Sequence, residues 1–129
     1  MNDGPSPAIR VTLMPKDTNA HGTIFGGVLL SHLDLAGAVA ARRHCDRMVT
    51  VKMTEVVFHE SVFVGDLVSF YADVVRIGNT SITVKVMVDA QRGWGAGEPV
   101  KVTEAEIVYV NVDENRRPVP IARREIAAR

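Results

Sequence analysis

One acidic side chain stands out in a segment that is otherwise almost free of charge. Within residues 28–41 the polar side chains are Ser31, His32 and Asp34. An apolar run with so few polar residues has no polar side to face solvent, and it predicts a buried helix. A carboxylate is costly to bury in such a helix without a partner. Asp34 is therefore a candidate catalytic carboxylate, although an aspartate that only pairs locally would give the same pattern.

Two glycines that precede this helix indicate a second piece of chemistry. Phe25, Gly26 and Gly27 lie where the helix is predicted to begin, and the first turn of a helix presents unpaired N–H groups and a positive dipole end. Without side chains, Gly26 and Gly27 would let a carbonyl oxygen approach these N–H groups, as in an oxyanion hole. A plain turn would also use two glycines, so the pair gains weight from Asn19 and Asp34 nearby.

The spacing between the glycines and the carboxylate limits how they can cooperate. Asp34 follows Gly27 by seven residues, which corresponds to about 10 Å along a helix axis. The two groups cannot easily act on one carbonyl within one chain. If both are catalytic, we expect the carboxylate to come from a neighbouring subunit.

The other titratable residues do not form a recognisable site. His21, His32 and His59 are not at the spacing of metal ligands, and we interpret them as structural or solvent-facing. Residues 44–46 (His-Cys-Asp) are consecutive, so on a helix they point in different directions, and the C-terminal end of a helix does not activate a thiol. We predict no metal and no other cofactor.

Composition and charge restrict the class of protein. The 129 residues are enough for one domain with a real core, and 47% hydrophobic with 23% charged residues is typical of a soluble globular protein. The formal net charge of zero gives no basic field for nucleic acid. The single cysteine, Cys45, fits a reducing compartment. The first residues lack the pattern of a signal peptide. Glycines and polar residues interrupt the apolar segment 24–41, so it does not have the pattern of a membrane span. We predict a cytoplasmic protein without nucleic-acid or membrane partners.

The elements that position these residues follow from the pattern of the rest of the chain. Residues 1–7 are predicted to be a disordered lead, 8–13 a first strand, 91–99 a flexible connection and 122–129 a basic tail. Further strands are predicted at 49–58, 67–77, 80–90 and 100–112. Gly78-Asn79 is a tight-turn signal that joins the second and third of these as a hairpin. The prediction is an α+β fold in which a curved antiparallel sheet wraps a long central helix.

The segment MPKDTNAHGTIFGGVLLSHLDLAG (residues 14–37) resembles the signature of the hotdog-fold acyl-CoA thioesterases, in their cytosolic acyl-CoA hydrolase branch. Members carry a DTN turn, an FGG or HGG helix entry and an MD or LD on the central helix. The resemblance continues through VTVKM (49–53), VFVGDLVSFYADVVRIGNTS (62–81), VTEAEIVYVNVD (102–113) and RPVPI (117–121). It covers nearly the whole chain, and several pieces in the family's order and spacing are highly specific.

This resemblance implies a single hotdog domain over residues 1–129 that hydrolyses acyl-CoA to free CoA and a carboxylic acid in fatty acid metabolism. Asn19 and Asp34 match the functional pair of the family. Asn19 would hold the water or the carbonyl group, and Asp34 of the partner chain would act as general base or as nucleophile. The family also implies a homodimer, joined further as a trimer of dimers.

Two departures from the family pattern are visible. Family members often carry a bulky aromatic residue where this chain has Val28, and a proline near Glu60 and Ser61, where this chain has none. The first departure bears on the acyl tunnel and hence on chain-length preference. Neither departure touches the asparagine, the aspartate or the glycines.

The charged part of CoA must lie on the surface. Arg76, with Thr80 and Ser81 beside the Gly78-Asn79 turn, offers a cation, two hydroxyls and a turn backbone for its pyrophosphate. A hairpin with a solvated arginine would look the same. Further candidates for phosphate contact are Arg42, Arg43, Arg47, Arg116 and Arg117.

Two functions of other classes remain compatible with the sequence. One is a dehydratase of the same fold that acts on acyl-carrier-protein or CoA thioesters, but such enzymes usually place a histidine near the helix, where this chain has Phe25. The other is a non-catalytic acyl-CoA binding module, which would tolerate the loss of Asp34 without loss of binding.

Overall fold

The computed structural model describes residues 5–126, in which one long helix packs against one antiparallel sheet. In chain order the elements are β1 (Ile9–Thr12), α1 (Gly26–Ala41), β2 (Met48–Met53), β3 (Leu67–Ile77), β4 (Ser81–Gln91), α2 (Arg92–Gly95) and β5 (Pro99–Asn111), with a 3-10 turn at Pro15–Asp17. The strand order is β1-β3-β4-β5-β2, and α1 packs on β3, β4 and β5. The predicted fold class is confirmed. Among the described residues, no helix is long and apolar enough to cross a membrane.

The β3–β4 hairpin forms as the sequence predicts. Its pairing runs from Leu67 opposite Gln91 to Ile77 opposite Ile82, with a bulge near Arg76. The bounds of β3 are those predicted, while β4 and β5 each differ by one residue from the predicted ranges. Alternating valines on β4 face the helix and are fully buried, which explains why a period-2 pattern was enough to locate the strand.

The strand predicted at residues 49–58 is shorter in the structure, because β2 ends at Met53. Its register on β5 shifts between Thr50 and Lys52, and beyond Met53 the chain runs beside β5 with only scattered backbone bonds. Two of these are from Thr54 N–H to the Glu106 carbonyl, 2.9 Å, and from His59 N–H to the Val102 carbonyl, 2.7 Å. The prediction from residue 54 to 58 is therefore wrong.

Helix α1 is buried on one side only, which corrects the prediction of a helix without an exposed face. Leu29, Leu33 and Ala36 are buried against the sheet, whereas Leu35 is 58% and Val39 is 39% exposed. A single five-stranded sheet covers one side of a helix, so Leu35 and Val39 on the other side stay exposed among the residues that the structure describes. Exposed apolar residues that share one helix face make this face a candidate surface for a partner.

The ends of the chain differ partly from their predictions. Of the predicted disordered lead, residues 5–7 are irregular, and residues 1–4 lie outside the described range. In the predicted basic tail, Arg123 contacts Asp46 at 2.9 Å, and Ile121 just before the tail is buried. Arg124 donates hydrogen bonds to the side chain and backbone of Asn79. The predicted flexible connection at 91–99 contains α2.

Cys45 is expected to be chemically inert in the folded protein. It is 2% exposed, and burial raises the pKa of its thiol, an effect that Arg123 opposes and Asp46 strengthens. Because the thiolate is the reactive form, native protein at about pH 8 should not react with Ellman's reagent, whereas protein unfolded in guanidinium should release one equivalent of chromophore. Fast labelling of the native protein would contradict this expectation.

Candidate active site

The start of α1 presents two backbone N–H groups that donate to no backbone acceptor in the described part of the chain. Phe25 is the N-cap residue and has extended backbone without a side-chain cap. The N–H groups of Val28 and Leu29 both donate to the Phe25 carbonyl, at 3.0 and 3.4 Å. Within residues 5–126 the Gly26 and Gly27 N–H groups donate no backbone hydrogen bond. Unpaired N–H groups in the first turn of a helix are the kind of donor that an oxyanion hole uses, and this role stays a prediction for Gly26 and Gly27.

Both glycines lie against aromatic rings. A Cβ atom at Gly27 would come within 2.6 Å of Cε2 of Phe25, and one at Gly26 would lie 3.7 Å from the Phe58 ring. Beside Gly26 opens a cleft of about 360 Å³. Its walls are formed by Thr23, Ile24, Gly26, Leu29, Phe58, His59, Glu60, Ser61 and Val62. The cleft gives a small substrate group access to the start of the helix.

Asn19 organises the loop that leads into this helix start. Its side-chain oxygen accepts hydrogen bonds from the backbone N–H of His21, 2.8 Å, and of Thr23, 3.2 Å. Its Nδ2 donates to Oγ1 of Thr23 at 2.9 Å, and Gly22 turns the loop with a φ of 85°. Asn19 is thus a structural residue of the loop in the single chain. The contact with water or carbonyl that the resemblance implied stays a prediction.

Asp34 lies on the same helix as the glycines but is not a buried, unpaired charge. It is half-exposed, and Oγ1 of Thr50 on β2 donates to its Oδ1 at 2.9 Å. Asp34 lies at the border between the buried and the exposed side of the helix, so both solvent and the Thr50 hydroxyl reach its carboxylate. This corrects the expectation that Asp34 is buried. The helix is continuous from Gly26 to Ala41, so Gly27 and Asp34 are separated by about 10 Å of axial rise and lie on similar sides.

Two residues beside Asp34 were missed by the sequence reasoning. Thr50 on β2 and Tyr109 on β5 are directly paired in the sheet. The Tyr109 hydroxyl donates to the backbone carbonyl of Asp34 at 2.7 Å. Burial raises the pKa of Tyr109, and the neighbouring Asp34 charge adds to this, so the hydroxyl stays protonated and remains a donor. The only sequence signal was strand alternation, which does not give the register between two strands so far apart in the chain.

The residues proposed for CoA lie at the β3–β4 turn. Arg76 is exposed, with Nη2 3.5 Å from Oγ1 of Thr83. The Thr80 carbonyl accepts from Asn111 N–H, 2.8 Å, and the Ser81 carbonyl from Gly78 N–H, 2.7 Å. The bond from Gly78 to Ser81 closes the turn, and the bond from Asn111 to Thr80 joins the turn to β5. The Ser81 hydroxyl lies beside Gly78, since a Cβ atom there would be 2.9 Å from its Oγ.

This turn and the helix start are far apart within one chain. The Phe58 ring lies beside Gly26, and the preceding residue, Val57, accepts a hydrogen bond from Oγ1 of Thr103 at 2.6 Å. Thr103 pairs with Val88 on β4, so the helix start lies near the Val88 end of β4. From Val88 to Ser81 at the turn, β4 extends roughly 24 Å. The structure does not bring Arg76, Thr80 and Ser81 to Gly26 and Gly27 in the single chain.

The histidines predicted to be structural have local contacts. His21 belongs to the Asn19 loop through its backbone. His32 has Nδ1 2.9 Å from the Val28 carbonyl, and its ring stacks on Phe70 with centroids 5.8 Å apart. His59 is exposed at the cleft. In the described part of the chain, no group of acidic, histidine and cysteine residues has the arrangement of a metal site.

Comparison with known proteins gives consistent matches. A model of the Thioesterase superfamily matches residues 21–93. The acyl-CoA thioester hydrolase YciA of Salmonella typhimurium is 42% identical over 118 residues, which are 88% of this chain and 87% of the relative. The hexameric hotdog fold thioesterase Cj0915 of Campylobacter jejuni has a TM-score of 0.86 and 47% identity, covering 94% of this chain and 93% of its own. The hexameric broad specificity acyl-coenzyme A thioesterase HI0827 has a TM-score of 0.85 and 36% identity, covering 95% and 85%. The hotdog fold implied by the sequence is confirmed.

Proposed function

This chain belongs to the Thioesterase superfamily, and we propose that it hydrolyses acyl-CoA to free CoA and a carboxylic acid at a site shared between two subunits. The activity agrees with that named for its relatives. The observation that carries the site assignment is the pair of N–H groups at Gly26 and Gly27 without a backbone acceptor among the described residues, with Asp34 further along the same helix. No cofactor is needed for this reaction.

The proposed reaction uses these groups in sequence. The thioester carbonyl oxygen accepts hydrogen bonds from the N–H groups of Gly26 and Gly27, which stabilise the negative charge that develops there. Asp34 of the partner subunit takes a proton from water as the water attacks the carbonyl carbon. The C–S bond then breaks and CoA leaves as a thiolate, so no strong general acid is required. In the alternative course, the carboxylate attacks first and water cleaves the resulting anhydride.

Two groups of exposed apolar residues, one on α1 and one on β2, support the proposal that a second copy of the chain binds there. Leu35 and Val39 form an exposed stripe on α1. Strand β2 lies at an edge of the sheet and exposes Val49 and Val51. The unpaired backbone groups of an edge strand can pair with a strand of another chain. The stripe on α1 and strand β2 both lie near Asp34, because Leu35 follows Asp34 and Thr50 on β2 binds its carboxylate. We propose a two-fold homodimer that buries them, and a trimer of dimers like the hexameric neighbours.

The remaining roles complete the proposal. Asn19 holds the loop before the helix start and offers the second hydrogen of its Nδ2 to the water or the carbonyl group. Arg76, Thr80 and Ser81 contact the CoA phosphates, and we propose that they serve a site whose helix start belongs to another subunit, because they are distant from Gly26 in their own chain. A cytoplasmic location fits the free cysteine.

The proposed activity is tested by incubating the purified protein with acyl-CoA of several chain lengths and a thiol reagent. We expect one thiol and one carboxylic acid for each substrate consumed, with Cys45 contributing no background. A dehydratase would instead hydrate or dehydrate the acyl chain and release no thiol. A binding module would bind acyl-CoA without any turnover, and either result would contradict the proposal.

Thr50→Val is expected to lower kcat by roughly 10- to 100-fold, the equivalent of one hydrogen bond to a charged group. The reason is that Oγ1 of Thr50 is the side-chain donor to the Asp34 carboxylate. Thr12→Val on β1 is the matched control, since Thr12 is exposed at the other edge of the sheet and should leave kcat unchanged. Equal turnover of both variants would show that Asp34 does not depend on Thr50.

A further inference from the structure

Tyr109 makes an unusual contact with the middle of α1. Its side chain is 1% exposed, and its hydroxyl donates to the backbone carbonyl of Asp34 at 2.7 Å. In a regular helix this carbonyl already accepts the N–H of the residue four positions on. The phenol therefore adds a second donor to the helical turn that carries the proposed catalytic carboxylate.

The helix has a glycine at the place where the phenol enters. A Cβ atom at Gly37 would overlap the Tyr109 hydroxyl and would lie 3.1 Å from its Cζ and 3.3 Å from Cδ1 of Ile107. Gly37 is three residues after Asp34, so it borders the carbonyl that the phenol binds. Glycine inside a helix costs about 1 kcal/mol relative to alanine. The close approach of Tyr109 explains why this position carries a glycine despite that cost.

The strand residue opposite Tyr109 binds the other end of the same aspartate. Thr50 pairs with Tyr109 across β2 and β5, and directly opposed side chains project from the same face of a sheet. Thr50 donates to the Asp34 carboxylate, while Tyr109 donates to the Asp34 backbone. The cross-strand pair of Thr50 and Tyr109 thus binds both the side chain and the backbone of Asp34.

We infer that Tyr109 is a positioning residue for Asp34, and that Gly37 is required because it lets the phenol reach the helix. This inference rests on the proposed function, in which Asp34 is the catalytic carboxylate. Tyr109 itself does not contact the substrate. Its hydroxyl fixes the height of the Asp34 turn above the sheet, and Thr50 then fixes the direction of the carboxylate.

The test compares Tyr109→Phe, Gly37→Ala and the double variant by steady-state hydrolysis of acyl-CoA. Tyr109→Phe should lower kcat about 10-fold with KM changed less than about 2-fold, because only one hydrogen bond is lost. Gly37→Ala should lower kcat about 100-fold, since the methyl group pushes the phenol and the Asp34 turn apart. In the double variant the hydroxyl that the methyl group meets is gone. Its kcat should therefore rise above that of Gly37→Ala but stay below that of Tyr109→Phe, since the methyl group still crowds the ring at position 109 and Cδ1 of Ile107.

Tyr71→Phe is the matched control. The Tyr71 hydroxyl lies 3.4 Å from Nη2 of Arg10, on the face of β3 opposite α1, and its loss should leave kcat and KM unchanged. Folding and assembly of each variant are checked by circular dichroism and gel filtration. If Gly37→Ala does not fold, the kcat of Tyr109→Phe alone tests whether Tyr109 positions Asp34.

The outcomes separate this inference from the proposed function. If Asp34→Ala is inactive but Tyr109→Phe has the kcat of the wild type, the positioning role is overturned while the proposed function stands. A double variant no better than Gly37→Ala would overturn the steric link between Gly37 and the phenol. A fully active Asp34→Ala would end the proposed function, and the role of Tyr109 with it.

Discussion

Asp34→Ala is expected to lower kcat for acyl-CoA hydrolysis by about 10²- to 10⁴-fold, the usual cost of losing general base catalysis. The fold should survive, because the side chain is half-exposed and its hydrogen bond within the described chain is with the exposed Thr50. The measurement is steady-state thiol release from acyl-CoA, with a thermal melt of the variant as a check on folding. Turnover near that of the wild type would remove Asp34 from the mechanism.

Asp34→Asn is the matched variant that separates charge from shape. Asparagine keeps an oxygen that can accept the Thr50 hydrogen bond, but it is neither a base nor a nucleophile at neutral pH. We expect it to be as inactive as Asp34→Ala. An asparagine variant with much higher activity than the alanine variant would indicate that Asp34 only orients another group.

Isotope labelling distinguishes the two chemical roles of Asp34. In a single turnover in ¹⁸O-water with enzyme in excess, a nucleophilic carboxylate is cleaved from its anhydride by water attacking either carbonyl carbon. Attack at the aspartyl carbon places ¹⁸O in Asp34, which mass spectrometry of the Asp34 peptide detects. A general base places all of the label in the carboxylic acid product.

Much of the helix and its glycines was readable from the sequence because the relevant order is local. A helix start, its unpaired N–H groups and the rise to Asp34 depend only on residues a few positions apart. The β3–β4 hairpin was equally readable, since the Gly78-Asn79 turn and the alternation of Val84, Val86 and Val88 fix it. These predictions needed no knowledge of how distant segments meet.

The contacts around Asp34 were not readable, because they depend on sheet register. Thr50 and Tyr109 meet only through the pairing of β2 with β5, and that register is shifted by an irregularity beside Thr50. The same applies to the predicted basic tail, where Arg123 contacts Asp46 at 2.9 Å and Arg124 donates to Asn79. The composition gives the charge of the tail, whereas its contacts depend on which distant segments lie beside it.

The assembly prediction follows from the separation of the glycines and the carboxylate. If one subunit supplies Gly26 and Gly27 and the other supplies Asp34, a two-fold dimer has two equivalent composite sites. Asn19→Ala damages the subunit that supplies the helix start, because Asn19 binds the loop before it. We expect this variant to be impaired, though less than Asp34→Ala, since an orienting group commonly contributes less than the base.

Mixing the variants Asn19→Ala and Asp34→Ala after dissociation and reassociation should then restore activity. Each heterodimer carries one site with both lesions and one site with neither, so random pairing should make about a quarter of all sites intact, and any residual activity of the damaged sites adds to theirs. Mixing Asp34→Ala with Asp34→Asn is the matched control, because no combination of those chains contains an intact site. Exchange of subunits is verified by mass spectrometry of differently tagged chains. If exchange occurs and the first mixture gains nothing over its parents, Asp34 acts within its own chain, and the site is not shared.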